Sequence, residues 1–555
     1  MKCEYERWLR LCADPELSEE LSEMSGNEER IKDAFYRHLE FGTGGLRGVL
    51  GAGTNRMNIY TVRRATVGLG GYLLKENASS TVAIGYDTRI NSRKFAESAA
   101  AALAHLGIKV YIYTAPYPTP MLSYAVRELS CNAGIMITAS HNPSQYNGYK
   151  VYGSDGCQIT DGAASEILAE ISKADYFGIE TLSFDDYVES GNIEYIQKNF
   201  LDSFIERAQE CSHLFGESAD RDISIVYTPL NGTGYVPVTE ILRRGGYKNV
   251  TVVREQAEPD GTFPTCPYPN PEIPEALSLG LDYAKRVCAD LLIATDPDSD
   301  RVGVAARDGE KYRILSGNEV GVLLLNYIIN QRKKHEKLPK SPISVKTVVT
   351  TGVSERIAKA AGVEMKNVLT GFKYIGEEIA RLEAHGESER YIFGFEESCG
   401  YLAGIYVRDK DGVSAAYLVA EMAAYYKSKK KGLCERLSEI YGEYGYSVSA
   451  LNSYAFPGAE GFSKMQGIMN SLRAAELNLS GFVPTKREDF SKGLYGLPKS
   501  NVLKFHFENA TVTVRPSGTE PKLKIYIEAF GKDEAEARAI SDALACAFDK
   551  LVSEN

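Results

Sequence analysis

Three short stretches carry side chains that could do chemistry together. TASHNP (138–143) sets a serine beside a histidine directly after the apolar run AGIMI. DPDSDR (296–301) places carboxylates at Asp296, Asp298 and Asp300, and RPSGTEP (515–521) combines a guanidinium with two hydroxyls around a glycine. In an extended segment alternate side chains share one face, so the three aspartates repel one another unless a cation sits among them. Three hard oxygen ligands suit Mg²⁺, which favours octahedral oxygen coordination and keeps several waters.

The EF-hand alternative fails, because its sixth and twelfth positions require Gly and Glu where this chain has Arg301 and Arg307. The bland alternative is a solvated acidic turn. A sharper one is the DxDx[TV] nucleophile loop of haloacid-dehalogenase-type phosphatases, which DSDRV resembles. Asp298 would then be phosphorylated and Asp300 would be the acid/base, leaving TASHNP and RPSGTEP without a task.

Ser140 and His141 at a strand end are expected to point to opposite sides, which is poor geometry for a nucleophile–base pair. No GxSxG elbow occurs in the chain. A hydroxyl displayed at a strand end can instead carry a phosphoryl group, which brings three acceptor oxygens and needs a metal and several donors. The acidic loop can hold the metal. Donors can come from FGTGGLRG (41–48), where a Gly-rich turn presents amides beside Arg47. RPSGTEP offers a further anion cradle, with Arg515 for bidentate contact, hydroxyls from Ser517 and Thr519, and close backbone approach at Gly518. Taken singly, each stretch would read as an ordinary turn.

The elements that must position these loops follow a repeating scheme. β-branched runs such as STVAIGYD, KVYIYT, ISIVYT, DLLIAT and VKTVVT alternate with Ala/Leu-rich helical segments, which implies βαβ units and mostly parallel sheets. Functional loops then lie beyond the carboxyl ends of the strands. From about Ser449 the pattern changes to adjacent alternating strands followed by the helix KDEAEARAISDALACAF, a smaller α+β domain. Expected domains are residues 1–205, 206–315, 316–447 and 448–555. The basic runs RKKHEK (332–337) and KSKKK (427–431) follow helical stretches and suit solvated helix C-termini.

A chain of 555 residues has room for several cores. With 63 basic and 74 acidic side chains its net charge of −11 argues against a nucleic-acid or anionic-membrane partner. Ten scattered cysteines without a CxxC pair read as reduced thiols, and the charged start MKCEYERWLR lacks the apolar run of a signal peptide. The best apolar stretch, VGVLLLNYII, is too short to span a bilayer. The expectation is a soluble, cytoplasmic protein.

Together, TASHNPSQYNGYK, DPDSDR, GFEES (394–398) and RPSGTEP resemble, in order, the four signature loops of the α-D-phosphohexomutases, the family of phosphoglucomutase and phosphomannomutase. The likeness spans FGTGGLRG to SGTEPKLKIY. With TGFKYIGEE and GFEESCGYLAGIYVRDKDG it is most similar to the long bacterial α-phosphoglucomutases and to a eukaryotic phosphopentomutase-type branch.

The resemblance implies three mixed α/β domains and a smaller C-terminal α+β domain around a central cleft, one loop from each. It implies phosphorylation of Ser140, and Mg²⁺ on Ser140, Asp296, Asp298 and Asp300. Arg47, His141, Lys150 and Arg301 would surround the phosphoryl group. Thr370, Gly371, Glu396 and Ser398 would bind sugar hydroxyls, with Lys410 lining the cleft. Arg515, Ser517, Gly518 and Thr519 would hold the phosphate that is not reacting. The implied reaction interconverts glucose 1-phosphate and glucose 6-phosphate, with glucose 1,6-bisphosphate as activator; mannose and pentose phosphates are the near alternatives. DPDSDR in place of DGDGDR, and GFEES in place of GEMSGH, tilt towards glucose. A sugar-phosphate sensor without catalysis is the remaining alternative.

Overall fold

The computed structural model describes residues 1–42, 44–179, 181–456, 458–474, 477–479, 481–517 and 522–554. Four sheets follow one another along the chain. The first contains β1 (Gly45–Val49), β2 (Thr81–Tyr86), β3 (Lys109–Ile112), β4 (Ala133–Ile137), β5 (Tyr146–Gly153) and β6 (Ile193–Tyr195), in the order β1-β5-β4-β2-β3-β6. Its β4, β2, β3 and β6 run parallel, and β5 returns antiparallel against both β4 and β1.

The second sheet holds β7 (Ile225–Thr228), β8 (Val250–Val252), β9 (Leu291–Thr295), β10 (Val302–Asp308) and β11 (Lys311–Leu315), ordered β11-β10-β9-β7-β8. The third holds β12 (Ile343–Thr347), β13 (Glu364–Val368), β14 (Tyr391–Glu396) and β15 (Gly400–Leu402), ordered β13-β12-β14-β15. In both, the central strands are parallel and one strand turns back antiparallel directly after the functional loop: β10 on β9, and β15 on β14.

The fourth sheet is antiparallel throughout. It comprises β16 (Tyr446–Ala455), β17 (Lys486–Asp489), β18 (Leu503–His506), β19 (Ala510–Pro516) and β20 (Lys522–Gly531), ordered β16-β20-β19-β18-β17. Here the tail departs from the expected run of strands, because the helix Gly458–Ala474 stands between β16 and β17. Its Met465, Ile468, Met469 and Leu472 are buried at helical spacing, whereas the strand alternation that guided the expectation lies further along the chain.

One consequence positions the site. The parallel strands β4, β9 and β14 are buried along their whole length, as strands covered on both faces must be. Each leaves the sheet at its carboxyl end and re-enters by an antiparallel neighbour, so each connection is a short, tethered loop rather than a long crossover. β19 and β20 likewise pair antiparallel.

The first three sheets contribute to one continuous apolar core, running from Met121, Leu122 and Tyr124 through Ile225 and Ile293 to Phe393, Val419 and Ile440. The first sheet also builds a second core with its own helices around Val82, Leu103 and Ile167. The fourth unit has its own core around Val512, Ile525 and Phe548, and meets the third at a small patch of Val348, Leu369, Phe490 and Val502. Both basic runs fall at helix C-termini, after Gly317–Lys334 and Gly412–Ser428. All ten cysteines are free thiols, and among the described residues no helix is long and apolar enough to cross a membrane.

Three short helices, Lys2–Leu11, Pro15–Glu23 and Glu28–Phe35, precede the first sheet and close around Trp8, the only tryptophan. Its ring meets Phe35, Tyr60, Tyr176 and Phe177 edge-on at centroid distances of 5.2–5.8 Å. Trp8→Ala empties that site and is expected to lower the stability of the N-terminal unit by about 3–5 kcal/mol, read from urea unfolding followed by circular dichroism.

Candidate active site

Ser140 sits two residues past the Thr138 that leaves β4, in a left-handed conformation (φ 52°) that a non-glycine residue adopts at a cost of about 1–2 kcal/mol. The surroundings enforce it. Its amide donates to Thr138 Oγ1 (2.8 Å), which in turn donates to Asp87 Oδ2 (2.6 Å). Arg89 forms an ion pair with Asp87 at 3.3 Å, both side chains fully buried. It then spreads its guanidinium over the backbone of the serine loop, donating to the carbonyls of Ser140, Asn142, Pro143 (2.9 Å) and Tyr146 (3.2 Å). A planar fork of five donors is what lets one side chain hold four carbonyls.

This geometry overturns the expectation that Ser140 and His141 diverge. The strand has already ended at Ile137, and the left-handed turn brings Ser140 Oγ to 3.1 Å from His141 Nδ1. Burial, then the charges of Arg301 and Arg47, push the imidazole well below its ordinary value, so the ring is uncharged.

On its other side Ser140 Oγ donates to Asp296 Oδ2 at 3.0 Å. Asp296, Asp298 and Asp300 are all buried, with one oxygen of each lying within 4.8 Å of the others. The loop is tied from three domains. Asp296 Oδ1 accepts the amides of Asp300 (3.1 Å) and Arg301 (3.0 Å). Thr119 of the first domain meets Asp298 twice, amide to carbonyl at 2.9 Å and Oγ1 to Oδ2 at 2.8 Å. Gly412 of the third donates its amide to Ser299 O at 3.0 Å, so close that a Cβ there would lie 2.5 Å from that oxygen.

Two lysines share the carboxylate charge. Lys150 Nζ lies 2.9 Å from Asp298 Oδ2 and 3.5 Å from Asp300 Oδ2, and Lys410 Nζ lies 2.8 Å from Asp300 Oδ2. Burial works against charge on Asp298, but the Lys150 ammonium and its hydrogen bond, with Asp296 and Lys410, together hold that carboxyl below the usual range. Asp296 is pushed well above it by burial and by its two acidic neighbours, against the charge of Arg301. The second oxygens, Asp298 Oδ1 and Asp300 Oδ1, are buried without a hydrogen-bond partner among the described residues. Two orphaned carboxylate oxygens facing a third carboxylate and a hydroxyl are the donor set of a divalent cation, and the residues fit one.

The sugar-loop candidates lie across from this cluster. Glu396 ends β14 and accepts the Gly371 amide at 2.9 Å; burial pushes its carboxyl up to about 7 against the pull of Lys410. Gly371 takes φ 119°, a region only glycine enters freely. Thr370 Oγ1 is buried without a partner among the described residues, as is Arg515 Nε. Arg301 bonds Ser398 O at 3.3 Å and pairs closely with Glu272, linking metal loop and sugar loop. Burial raises the Glu397 carboxyl above its ordinary value, against the opposing charge of Arg515 at the end of β19, and the Ser517 amide donates to Lys522 O at 2.7 Å. Gly518 and Thr519 lie outside the described residues. Arg47 stands on β1, opposite Gly148 of β5, with its charge felt at His141.

Sequence reasoning missed Asp87, Arg89, Thr119, Glu272, Tyr152 and Asp409. The first two had a signal: YDTR follows the apolar strand TVAIG at its carboxyl end, where the other loops were sought.

The chain matches all four domain models of phosphoglucomutase/phosphomannomutase: alpha/beta/alpha domain I over residues 38–177, domain II over 202–309, domain III over 316–444, and the C-terminal domain over 468–545. It belongs to the phosphoglucomutase/phosphomannomutase family and is a phosphohexomutase. A phosphoglucomutase of Staphylococcus aureus (strain MSSA476) is 36% identical over 541 residues, covering 94% of this chain and 95% of that one. One from Staphylococcus epidermidis (strain ATCC 35984) is 36% identical over 533 residues, covering 93% and 95%. Among solved structures, a Thermus thermophilus protein described as a phosphomannomutase superposes with a TM-score of 0.70 at 26% identity, covering 92% of this chain and 99% of that one. The Paramecium phosphoglucomutase parafusin, in its open form, shares the fold with a TM-score of 0.69 at 17% identity, covering 93% and 96%.

Arg89→Met keeps bulk but removes every donor to the serine loop. Mutase turnover is expected to fall about 100-fold, because a misplaced reacting group costs that much even when the chemistry is intact. Steady-state kinetics beside an unchanged far-UV spectrum checks it.

Proposed function

We propose that this chain is a Mg²⁺-dependent α-phosphoglucomutase that interconverts glucose 1-phosphate and glucose 6-phosphate through phospho-Ser140 and a glucose 1,6-bisphosphate intermediate. The observation that carries the reading is the Ser140 hydroxyl, 3.0 Å from Asp296 inside a buried carboxylate triad that two lysines border. The relatives named phosphoglucomutase, 36% identical over 94% of the chain, support glucose as the sugar.

Asp296, Asp298, Asp300 and a phosphate oxygen on Ser140 would hold Mg²⁺, which supplies charge neutralisation and orientation for the transferring phosphoryl group. The chain's own residues do the rest. Arg89 and Asp87 fix the serine loop so that Oγ faces the cleft. Phospho-Ser140 gives its PO₃ to the free hydroxyl of the bound hexose phosphate: the serine Oγ–P bond breaks as the sugar O–P bond forms, and the proton lost by the sugar hydroxyl is balanced by the one that Ser140 Oγ regains. Arg47, His141, Lys150, Lys410 and Arg301 donate towards the oxygens on which charge develops. The bisphosphate then turns over, and Ser140 takes the other phosphate by the reverse transfer.

Throughout, Arg515 and Ser517, with Gly518 and Thr519, hold the phosphate that is not reacting, while Thr370, Gly371, Glu396 and Ser398 bind the sugar hydroxyls. One cradle serves both orientations of the sugar because it grips only the phosphate. The fourth domain, joined to the third by a small apolar patch and by hydrogen bonds from Thr351 and Gly352 to Glu528, is the element whose closure excludes water from the phosphoserine. Free thiols at all ten cysteines and the acidic net charge suit a cytoplasmic enzyme of sugar phosphates.

With Mg²⁺ and glucose 1,6-bisphosphate as activator, the purified chain is expected to turn over glucose 1-phosphate with a higher kcat/KM than mannose 1-phosphate or ribose 1-phosphate. A preference for either of the others would sink the glucose assignment. Ser140→Ala is expected to lose at least about 10³-fold in kcat, the scale of removing a covalent nucleophile. Survival of full turnover in that variant would point instead to an aspartyl enzyme. EDTA should abolish turnover and added Mg²⁺ restore it.

A further inference from the structure

Lys410 belongs to the third domain, yet its ammonium reaches the metal loop of the second, 2.8 Å from Asp300 Oδ2. A second carboxylate competes for it. Asp409, its neighbour in the chain, has Oδ1 only 3.6 Å from the same Nζ. Asp409 is buried (4% exposed), and a buried carboxylate is strongly driven to find donors. Two donors hold it in its present orientation: the Lys410 amide on Oδ1 at 2.8 Å, and the Tyr152 hydroxyl on Oδ2 at 2.7 Å.

Tyr152 comes from the first domain and is fully buried. It stands two residues after Lys150 on β5, so the two side chains leave the strand on one face. One strand thus sends Lys150 to Asp298 and Tyr152 to the residue beside Lys410.

We infer that Tyr152 is a positioning residue for the mutase reaction: its hydroxyl keeps the Asp409 carboxylate from capturing Lys410, and so keeps that ammonium on Asp300 at the metal loop. The inference rests on the reading above, in which Lys410 faces the transferring phosphoryl group. Without the hydroxyl, Asp409 Oδ2 loses its donor, and the Lys410 ammonium beside it is the cation it can draw on. A swing of that ammonium towards Asp409 withdraws a positive charge from the triad. Two effects of opposite sign follow: the triad binds a divalent cation more tightly, and phosphoryl transfer loses a donor. Mere loosening of the fold would weaken both.

The experiment is Tyr152→Phe in the full chain, in wild-type and Lys410→Ala backgrounds, read by Mg²⁺ titration calorimetry and by kcat and KM on glucose 1-phosphate. Expected in the wild-type background are Mg²⁺ binding about threefold tighter, kcat about tenfold lower and KM within about twofold. In the Lys410→Ala background the same change is expected to alter neither, because both effects pass through that ammonium. Tyr152→Phe/Asp409→Asn removes the competing charge and should restore wild-type Mg²⁺ affinity. Weaker or unchanged Mg²⁺ binding in Tyr152→Phe, or an equal change without Lys410, overturns the inference. The calorimetry is independent of which sugar is turned over, so failure of the glucose assignment shows separately in the kinetics. Should Tyr152→Phe not fold, Asp409→Asn alone decides: with no competitor, it must leave Lys410 on Asp300 and Mg²⁺ affinity at the wild-type level.

Discussion

Mutual repulsion of three buried carboxylates is the constraint on which the site depends. Asp296, Asp298 and Asp300 lie together out of water, an arrangement that is unfavourable by several kcal/mol per charge unless cations and donors offset it. Every strong contact of the loop answers that need. Lys150 comes from the first domain, Lys410 from the third, and backbone amides from the loop itself. The same charges thus add contacts across the three domains that the shared apolar core packs together. Among the described residues two carboxylate oxygens still lack a hydrogen-bond partner, and a divalent cation would meet that deficit.

The hairpin form of the functional loops follows from the chemistry they present. A crossover of a dozen or more residues would leave the serine, the aspartates and the glutamate on long, poorly tethered segments. By returning antiparallel, β5, β10 and β15 fix both ends of each loop against a buried strand. Lys150 and Tyr152 profit directly, since β5 begins where the serine loop ends. The shared core of the first three domains extends this rigidity, and the fourth is joined to the third by the patch around Val348 and by hydrogen bonds from Thr351 and Gly352 to Glu528.

Within the serine loop, strain and restraint are matched. The left-handed Ser140 would be unfavourable in a free turn, and four carbonyls gripped by Arg89 over-determine it. The same turn brings His141 onto the hydroxyl, which an extended chain could not do.

Sequence alone determined which residue types could act and on what scaffold. The spacing of Asp296, Asp298 and Asp300, Arg47 beside Gly48, Arg515 three residues before Gly518, and apolar strands ending at loops are all local properties of side-chain chemistry and turn composition. The aspartates, expected to align along an extended segment, converge instead around a turn closed by the Ser299 amide on Asp296 O at 2.9 Å. Only the tertiary structure decided which charges meet. That Lys150 meets Asp298, that Tyr152 reaches Asp409 across more than two hundred residues of chain, and that Ser140 bonds both His141 and Asp296 are outcomes of packing three domains on one core. Partner choice of this kind is set by through-space distance and desolvation, neither of which is written in the order of the residues.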